Sequence, residues 1–382
     1  MMIAVVQVEH VLFKGKTMTK VFNTEKTVEQ YHNKAPLFFG EDPGLFDTVN
    51  KHYPKIWSIY KTMKSLDWSE DEFDYSQCNL DFKNCPKPVY DMMIRTLAWQ
   101  WEADSVASRN IAPVLAPFIT DSSLWAAWQR ISDNEVVHSA TYSEIVRMSF
   151  DNPEDVLKDI LAVKESLVRL TTVKEIFDNV FKVSHRYALG EMTAEQSYDS
   201  LFMTIVALLL LERVQFMASF AITFTICSTG IFQPVGKAVQ KIAQDELEVH
   251  VELDKEVLRV ELATERGKAA YTRLKPQIEK LFNEVVEAEL VWTDYLFSEG
   301  RELVGANAAI IKSWVLFNAA PVHKFLDLGS EHKFPRHNPM PHMEDWINIS
   351  KTQAAPQEQD NNQYKVGAIV RDDTRTSFEV DF

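Results

Sequence analysis

From about residue 87 to residue 318, apolar positions recur every three to four residues, the spacing of helices that pack by one face. Breaks in the pattern divide this stretch into runs. Asn84-Cys85-Pro86-Lys87-Pro88 opens the first run, 89–110, which stops near Pro113 and Pro117. Asp121-Ser122-Ser123 supplies N-cap side chains for a second run that reaches Phe150 before Asn152-Pro153 breaks it. Further helices are predicted over 154–169, 172–189, 193–228, 235–262, 266–299 and 301–318. No stretch alternates with period two for long enough to make a strand, and no internal repeat is visible. An all-α fold follows. After Pro321 the texture changes: 332–346, rich in Pro, His and Asn, reads as an ordered loop. From Ala354 the chain is Gln/Asn/Asp-rich and buries too little apolar area to offset its ordering entropy, yet Ser377-Phe378-Glu379-Val380-Asp381-Phe382 is apolar again. A tether with a sticky end is the form of a docking peptide.

Composition narrows the classes. With 46% hydrophobic residues a large core is within reach, and only 11 glycines favours helices over a many-stranded sheet. A formal net charge of -15 makes nucleic acid a poor partner. Cys78, Cys85 and Cys227 fit no zinc spacing and pair unevenly, which points to a reducing, cytoplasmic setting. The apolar start, Met1 to Phe13, lacks a basic flank and a cleavage site, so it does not read as a signal peptide; Met18 is an alternative start. The stretch 201–227 is apolar enough to suggest a membrane span. Glu212, Arg213 and Gln215 at its middle are costly in lipid, and a core helix is the better reading, with no membrane implied. The question is then why a core helix carries a glutamate.

Glu135 and His138 are three apart and share a helical face, as metal ligands from one helix must. Alone this spacing is weak, and most such pairs are solvated. The surroundings add weight: Tyr142 follows His138 by four residues on the same face. Glu212 in an apolar helix needs a cation or a proton, because an unpaired buried carboxylate costs several kcal/mol. Phe216 and Phe220 follow on its face, and core packing alone would explain them. Glu246 and His250 are four apart on a fourth helix. Asp104 stands among Trp99, Trp101 and Val106; by itself it reads as a partly exposed helix charge. Together, four helices offer four carboxylates and two histidines, the ligand inventory of a ferritin-like di-iron or di-manganese bundle. Oxygen and nitrogen donors suit iron or manganese rather than a thiolate-seeking metal. His323, His332, His337 and His342 lack helical spacing and read as a structural loop.

On these residues the chain resembles the small, radical-generating subunit of class I ribonucleotide reductase, from about Phe38 to Phe382. The matching motifs are Asp104 in Asp-Ser-Val-Ala-Ser-Arg; Glu135, His138 and Tyr142 in Glu-Val-Val-His-Ser-Ala-Thr-Tyr; Glu212 with Phe216 and Phe220; and Asp245-Glu246. The family's fourth motif reads Asp-Glu-x-x-His, and here the histidine, His250, comes one residue late. Either a one-residue helical bulge restores the geometry with Glu246, or Glu248 takes its place as ligand. The resemblance implies two metal ions per chain, iron or manganese, on Asp104, Glu135, His138, Glu212, Glu246 and His250. It implies a tyrosyl radical on Tyr142, kept in a dry pocket by Phe216, Phe220 and Ile242, and a relay through His138, Asp245, Trp68 and Tyr364, with Glu358 upstream. It also implies a homodimer and a separate large subunit, docked by Phe378–Phe382, where ribonucleotides are reduced. The chain divides accordingly into an extension (1–37), a bundle (38–350) and a tail (351–382). Trp292-Thr293-Asp294-Tyr295 and Asn338-Pro339-Met340-Pro341 match structural signatures. A di-iron oxygenase or ferroxidase on the same bundle is the competing expectation, needing neither Trp68 nor a docking tail; an inert scaffold with accidental carboxylates is the third.

Overall fold

The computed structural model describes residues 27–41 and 45–348. Among them there are no strands, only two isolated bridges, Phe38 with Ile119 and Leu303 with Ala306. The first long helix is Lys87–Asn110, with a proline in its first turn, where no amide hydrogen bond is lost. Ser122–Ser149 follows, capped by Asp121, whose carboxylate accepts from the N–H groups of Ser123 and Leu124. These two helices pack along each other at the centre of the bundle.

Two expected boundaries moved. The pattern placed a break near residues 170–171, but the helices are Pro153–Leu161 and Lys164–Ala188. Thr171-Thr172 weakens helix propensity locally, and tertiary packing overrides it, because Arg169 is buried against Trp99 and Trp292. The last long helix is Ala308–Phe325 rather than 301–318. Asn307 caps it by accepting from the N–H of Ile310, and Gly305 turns the chain just before it at φ 91°. Pro321 lies inside that helix instead of ending it.

The other runs formed as expected, with one feature the periodicity hid. Thr193 and Gln196 make a capping box that starts Ala194–Leu210. That helix passes through a π turn at Leu211–Gln215 and continues as Met217–Cys227. Gln233–Gln244 does the same, through a second π turn at Asp245–His250 into Val251–Leu262. The stretch Ala194–Cys227 is long and apolar enough to cross a membrane by length and composition, but 94% of its most apolar window is buried among the other helices. Down its length Phe216, Phe220 and Phe224 stack with ring centroids 5.4 and 6.1 Å apart.

Candidate metal centre

Four helices bring six titratable side chains to one point in the core. Asp104 comes from Lys87–Asn110, and Glu135 and His138 from Ser122–Ser149. Glu212 comes from the first π turn, Glu246 and His250 from the second. All six are at most 2% exposed. They form two overlapping groups whose donor atoms lie within 4.8 Å of one another: Asp104, Glu135, His138 and Glu246, and then Glu135, Glu212, Glu246 and His250.

Glu135 and Glu246 belong to both groups, and the distances show how. Glu246 reaches Nδ1 of His138 with Oε1 (3.1 Å) and Nδ1 of His250 with Oε2 (3.0 Å). Glu135 does likewise with Oε2 (3.6 Å) and Oε1 (3.5 Å). Asp104 stands only by His138 (3.9 Å), and Glu212 only by His250 (3.9 Å). The arrangement is two histidines, two carboxylates spanning them and one carboxylate at each end.

The π turn explains how the late histidine fits. On an ordinary helix Glu135 and His138 meet at a spacing of three. The wider turn absorbs one extra residue, so Glu246 and His250 meet at a spacing of four. Glu248, the alternative ligand, is exposed and joins neither group. The first π turn is held from outside by a buried ion pair. Arg169 donates to the carbonyl of Gln215, and Glu289 accepts from the N–H of Ala218 at 3.0 Å. These are backbone groups at the end of the turn that presents Glu212.

Electrostatically the cluster is short of positive charge. Burial, reinforced by Glu135, pushes the carboxyl of Asp104 well above its usual range; burial and Glu246 do the same to Glu212 and raise Glu135. Burial would raise Glu246 too, but His250 and its hydrogen-bonding neighbours outweigh it and pull it well below. Burial would lower His138, but the carboxylates of Asp245, Glu135 and Glu246 around it outweigh burial and raise it well above the ordinary imidazole value. His250 is raised by Glu246. Both oxygens of Asp104, Oε2 of Glu135, Oε2 of Glu212, Oε1 of Glu246 and Nδ1 of His138 are buried without a hydrogen bond. Such atoms cost free energy unless something else meets them. Two divalent cations would cancel four carboxylates, and a set of oxygen and imidazole donors without thiolate fits iron or manganese. The residues therefore fit a metal pair.

Around this centre, Nε2 of His138 lies 3.1 Å from Oδ2 of Asp245, and the same oxygen accepts from Nε1 of Trp68 at 2.7 Å. The Trp68 and His138 rings are stacked, centroids 6.0 Å apart. Tyr142 is 1% exposed and its hydroxyl has no hydrogen-bond partner; burial first, then the charge of Asp104, raises its phenol well above the ordinary value. Phe216, Phe220 and Ile242 are all buried. His323 packs at a tilt against the rings of Phe282 and Phe334 and joins neither group of donors. Tyr364, Glu358 and Phe378–Phe382 lie outside the described residues.

Two buried polar groups escaped the sequence reading. Asn134, 4% exposed, places its amide nitrogen 3.3 Å from Nε2 of His250. Asp254, 2% exposed, is raised well above the carboxylate range by burial, in the company of His250, Glu246 and Trp128. Both sit on the ligand faces of their helices, Asn134 one residue before Glu135 and Asp254 four after His250. A polar residue on an apolar stripe was the available signal.

The chain is similar to proteins of known family. The ribonucleoside-diphosphate reductase subunit beta of Haemophilus influenzae is 26% identical over 352 residues, 88% of this chain and 93% of its own length. That of Enterobacteria phage T4 is 24% identical, covering 93% and 97%. Among solved structures, the ribonucleotide reductase R2 subunit from Clostridium botulinum superposes with a TM-score of 0.74 at 17% identity, over 87% of this chain and 98% of that one. The dimanganese(II)-NrdF of Streptococcus sanguinis gives 0.61 at 14% identity, over 79% and 100%. Residues 45–339 match the family described as "Ribonucleotide reductase, small chain", so this chain, with its carboxylate and histidine cluster inside a helical bundle, belongs to that family.

Proposed function

We propose that the chain is the small subunit of a ribonucleoside-diphosphate reductase, and that it generates and exports a one-electron oxidising equivalent. The carrying observation is the unbroken contact from the six-residue cluster through His138 and Asp245 to Trp68, with the buried, unpartnered phenol of Tyr142 on the same helix as His138. Asp104, Glu135 and His138 would hold one metal ion, and Glu212, Glu246 and His250 the other, with Glu135 and Glu246 shared. A redox-active pair held there would supply, with dioxygen, the oxidising power that the Tyr142 phenol needs to lose an electron. Iron and manganese both suit the donors, and iron is our choice.

The chain's own residues do the rest. Tyr142 gives up one electron and its phenol proton, and the burial of its hydroxyl, with no protein hydrogen-bond partner, slows the return of either. Asp245 orients His138 from behind and ties it to the indole of Trp68. From Trp68 the equivalent passes to Tyr364 and on to a large subunit gripped by Phe378–Phe382. The chain works in the cytoplasm as a homodimer. Electron paramagnetic resonance after adding ferrous iron and dioxygen to the metal-depleted protein tests this. A tyrosyl signal in the parent and none in Tyr142→Phe is expected. Two irons bound per chain with no signal under iron or manganese loading would sink it.

One observation favours a second reading, an oxygenase on the same bundle. An apolar cavity of about 670 Å³ opens between the Lys87–Asn110, Lys164–Ala188 and Ala194–Leu210 helices, walled by Ala103 and Ala107, which flank Asp104. Removal of 376–382 separates the two: it abolishes ribonucleotide reduction in a radical subunit and leaves an oxygenase untouched.

A further inference from the structure

The two histidines of the centre are held from behind by different chemistry. Both turn Nδ1 toward the shared carboxylates, His138 at 3.1 Å and His250 at 3.0 Å from Glu246. Behind His138, Nε2 meets a carboxylate, Asp245, at 3.1 Å. An ionised carboxylate only accepts. Behind His250, Nε2 meets the side-chain amide of Asn134 at 3.3 Å, in a site sealed from water. An amide carries a donor and an acceptor on one rotor, and the two ends differ too little in shape to fix which faces the ring.

Imidazole tautomerism makes this difference matter. With a metal ion on Nδ1, the ring proton must sit on Nε2. The NH2 end would then meet another donor, and only the carbonyl end can accept. We propose that Asn134 is a positioning residue for His250: its side-chain amide, 3.3 Å from Nε2, turns its carbonyl end to accept from that nitrogen when Nδ1 holds a metal ion. The carbonyl end thus keeps the Nε2 donor of a metal-bound His250 paired inside the core. The inference rests on the metal-pair reading above and concerns one side chain beside it.

The test is Mn(II) binding to the full chain, followed by the resonance signal of free Mn(II), for the parent, Asn134→Leu and Asn134→Asp. Leucine fills the space but neither donates nor accepts, and aspartate accepts. The parent should take two ions per chain. Asn134→Leu should keep one and hold the other about 10- to 100-fold more weakly. Asn134→Asp should retain both, and this variant carries the test alone if the leucine chain does not fold. With Zn(II) bound, nitrogen-15 spectra of the histidine rings should place the His250 proton on Nε2. Parental affinity for both ions in Asn134→Leu, equal weakening of both, or an aspartate variant as impaired as leucine would each overturn the proposal, as would metal attachment through Nε2. A parent that binds no Mn(II) fails differently: it removes the metal-pair reading, and the proposal with it.

Discussion

Two clusters of charge lie buried in this bundle, and they are built on opposite plans. Arg169 and Glu289, 3% and 0% exposed, form an ion pair of one charge each. The guanidinium lies between the faces of Trp99 and Trp292, 3.7 and 4.4 Å from their centroids, and the carboxylate also accepts from the N–H of Ala218. This cluster balances its charge within the chain, although Nε and Nη1 of Arg169 have no hydrogen-bond partner. The cluster at Glu135 and Glu246 has four carboxylates, two histidines and several oxygens that meet nothing. One stabilises a π turn; the other is left needing cations by the same turn. Burial of charge is thus no signature of function in itself. The unbalanced cluster is the functional candidate, because evolution keeps an uncompensated buried acid only where something outside the chain completes it.

The largest test of the contrast is to break the complete pair. Arg169→Met leaves Glu289 buried without its counter-charge, and should cost about 3–5 kcal/mol in denaturant unfolding whether or not metal is present. It should also loosen the π turn below Glu212 and weaken metal binding there. An unchanged unfolding midpoint would show that the pair supports nothing.

Metal addition should do the reverse, acting on the incomplete cluster alone. At a hundredfold excess over the dissociation constant, a bound ion adds about 2.7 kcal/mol of stability per site. Calorimetric melting of the parent with Fe(II) or Mn(II) under argon should show the rise, and Glu246→Gln should lose most of it. A rise of equal size in that variant would place the ion elsewhere.

A pH series sharpens the comparison further. In metal-depleted protein Asp104, Glu135 and Glu212 are raised, so the folded chain keeps protons that the unfolded chain releases. Their contribution declines as pH rises from the ordinary carboxylate range through their folded values. His138 and His250 are raised too, so the stability they add is full below about 6.5 and fades as pH climbs through their folded values. Glu246, lowered, opposes this, its contribution being lost as pH falls. Glu289, pushed by burial up to about 7 despite Arg169, fades in the same direction between its ordinary value and 7. The metal-depleted melting temperature should therefore fall as pH rises from 5 toward 8. Saturating metal should abolish most of the slope, because ions replace those protons, while the smaller share from Glu289 persists. A flat profile without metal would refute the charge imbalance.

The smallest expected effect on stability belongs to the link between the cluster and the surface. Trp68→Phe removes one indole donor to Asp245, worth about 0.5–1.5 kcal/mol. Metal uptake and the Tyr142 signal should survive while ribonucleotide reduction with a large subunit disappears. Full turnover in that variant would take Trp68 out of the relay.

Much of the site could be read from the chain because its residues violate their surroundings. Glu212 inside an apolar helix, and Glu135 with His138 on a core-facing stripe, are anomalies that periodicity exposes. The bundle was legible for the same reason, since long amphipathic runs admit few folds. Boundaries were less legible where packing outweighs local preference, as at Arg169-Leu170-Thr171-Thr172 and around Pro321. Asn134 went unread because a single asparagine on a helix has many ordinary explanations until its neighbour across the core is known.

By itself, then, the sequence determined the helical class, five of the six candidate donors and the chemistry they suit, because residue type and spacing along one helix are local properties. Only the tertiary structure decided between Glu246 and Glu248, since a one-residue offset is resolved by the π turn at Asp245–His250 and by what packs against it. It alone set Asp245 between His138 and Trp68, Asn134 behind His250, and Arg169 with Glu289 under the other π turn. Those partners all lie more than a hundred residues apart in the chain, and only the folded core brings them within hydrogen-bonding distance.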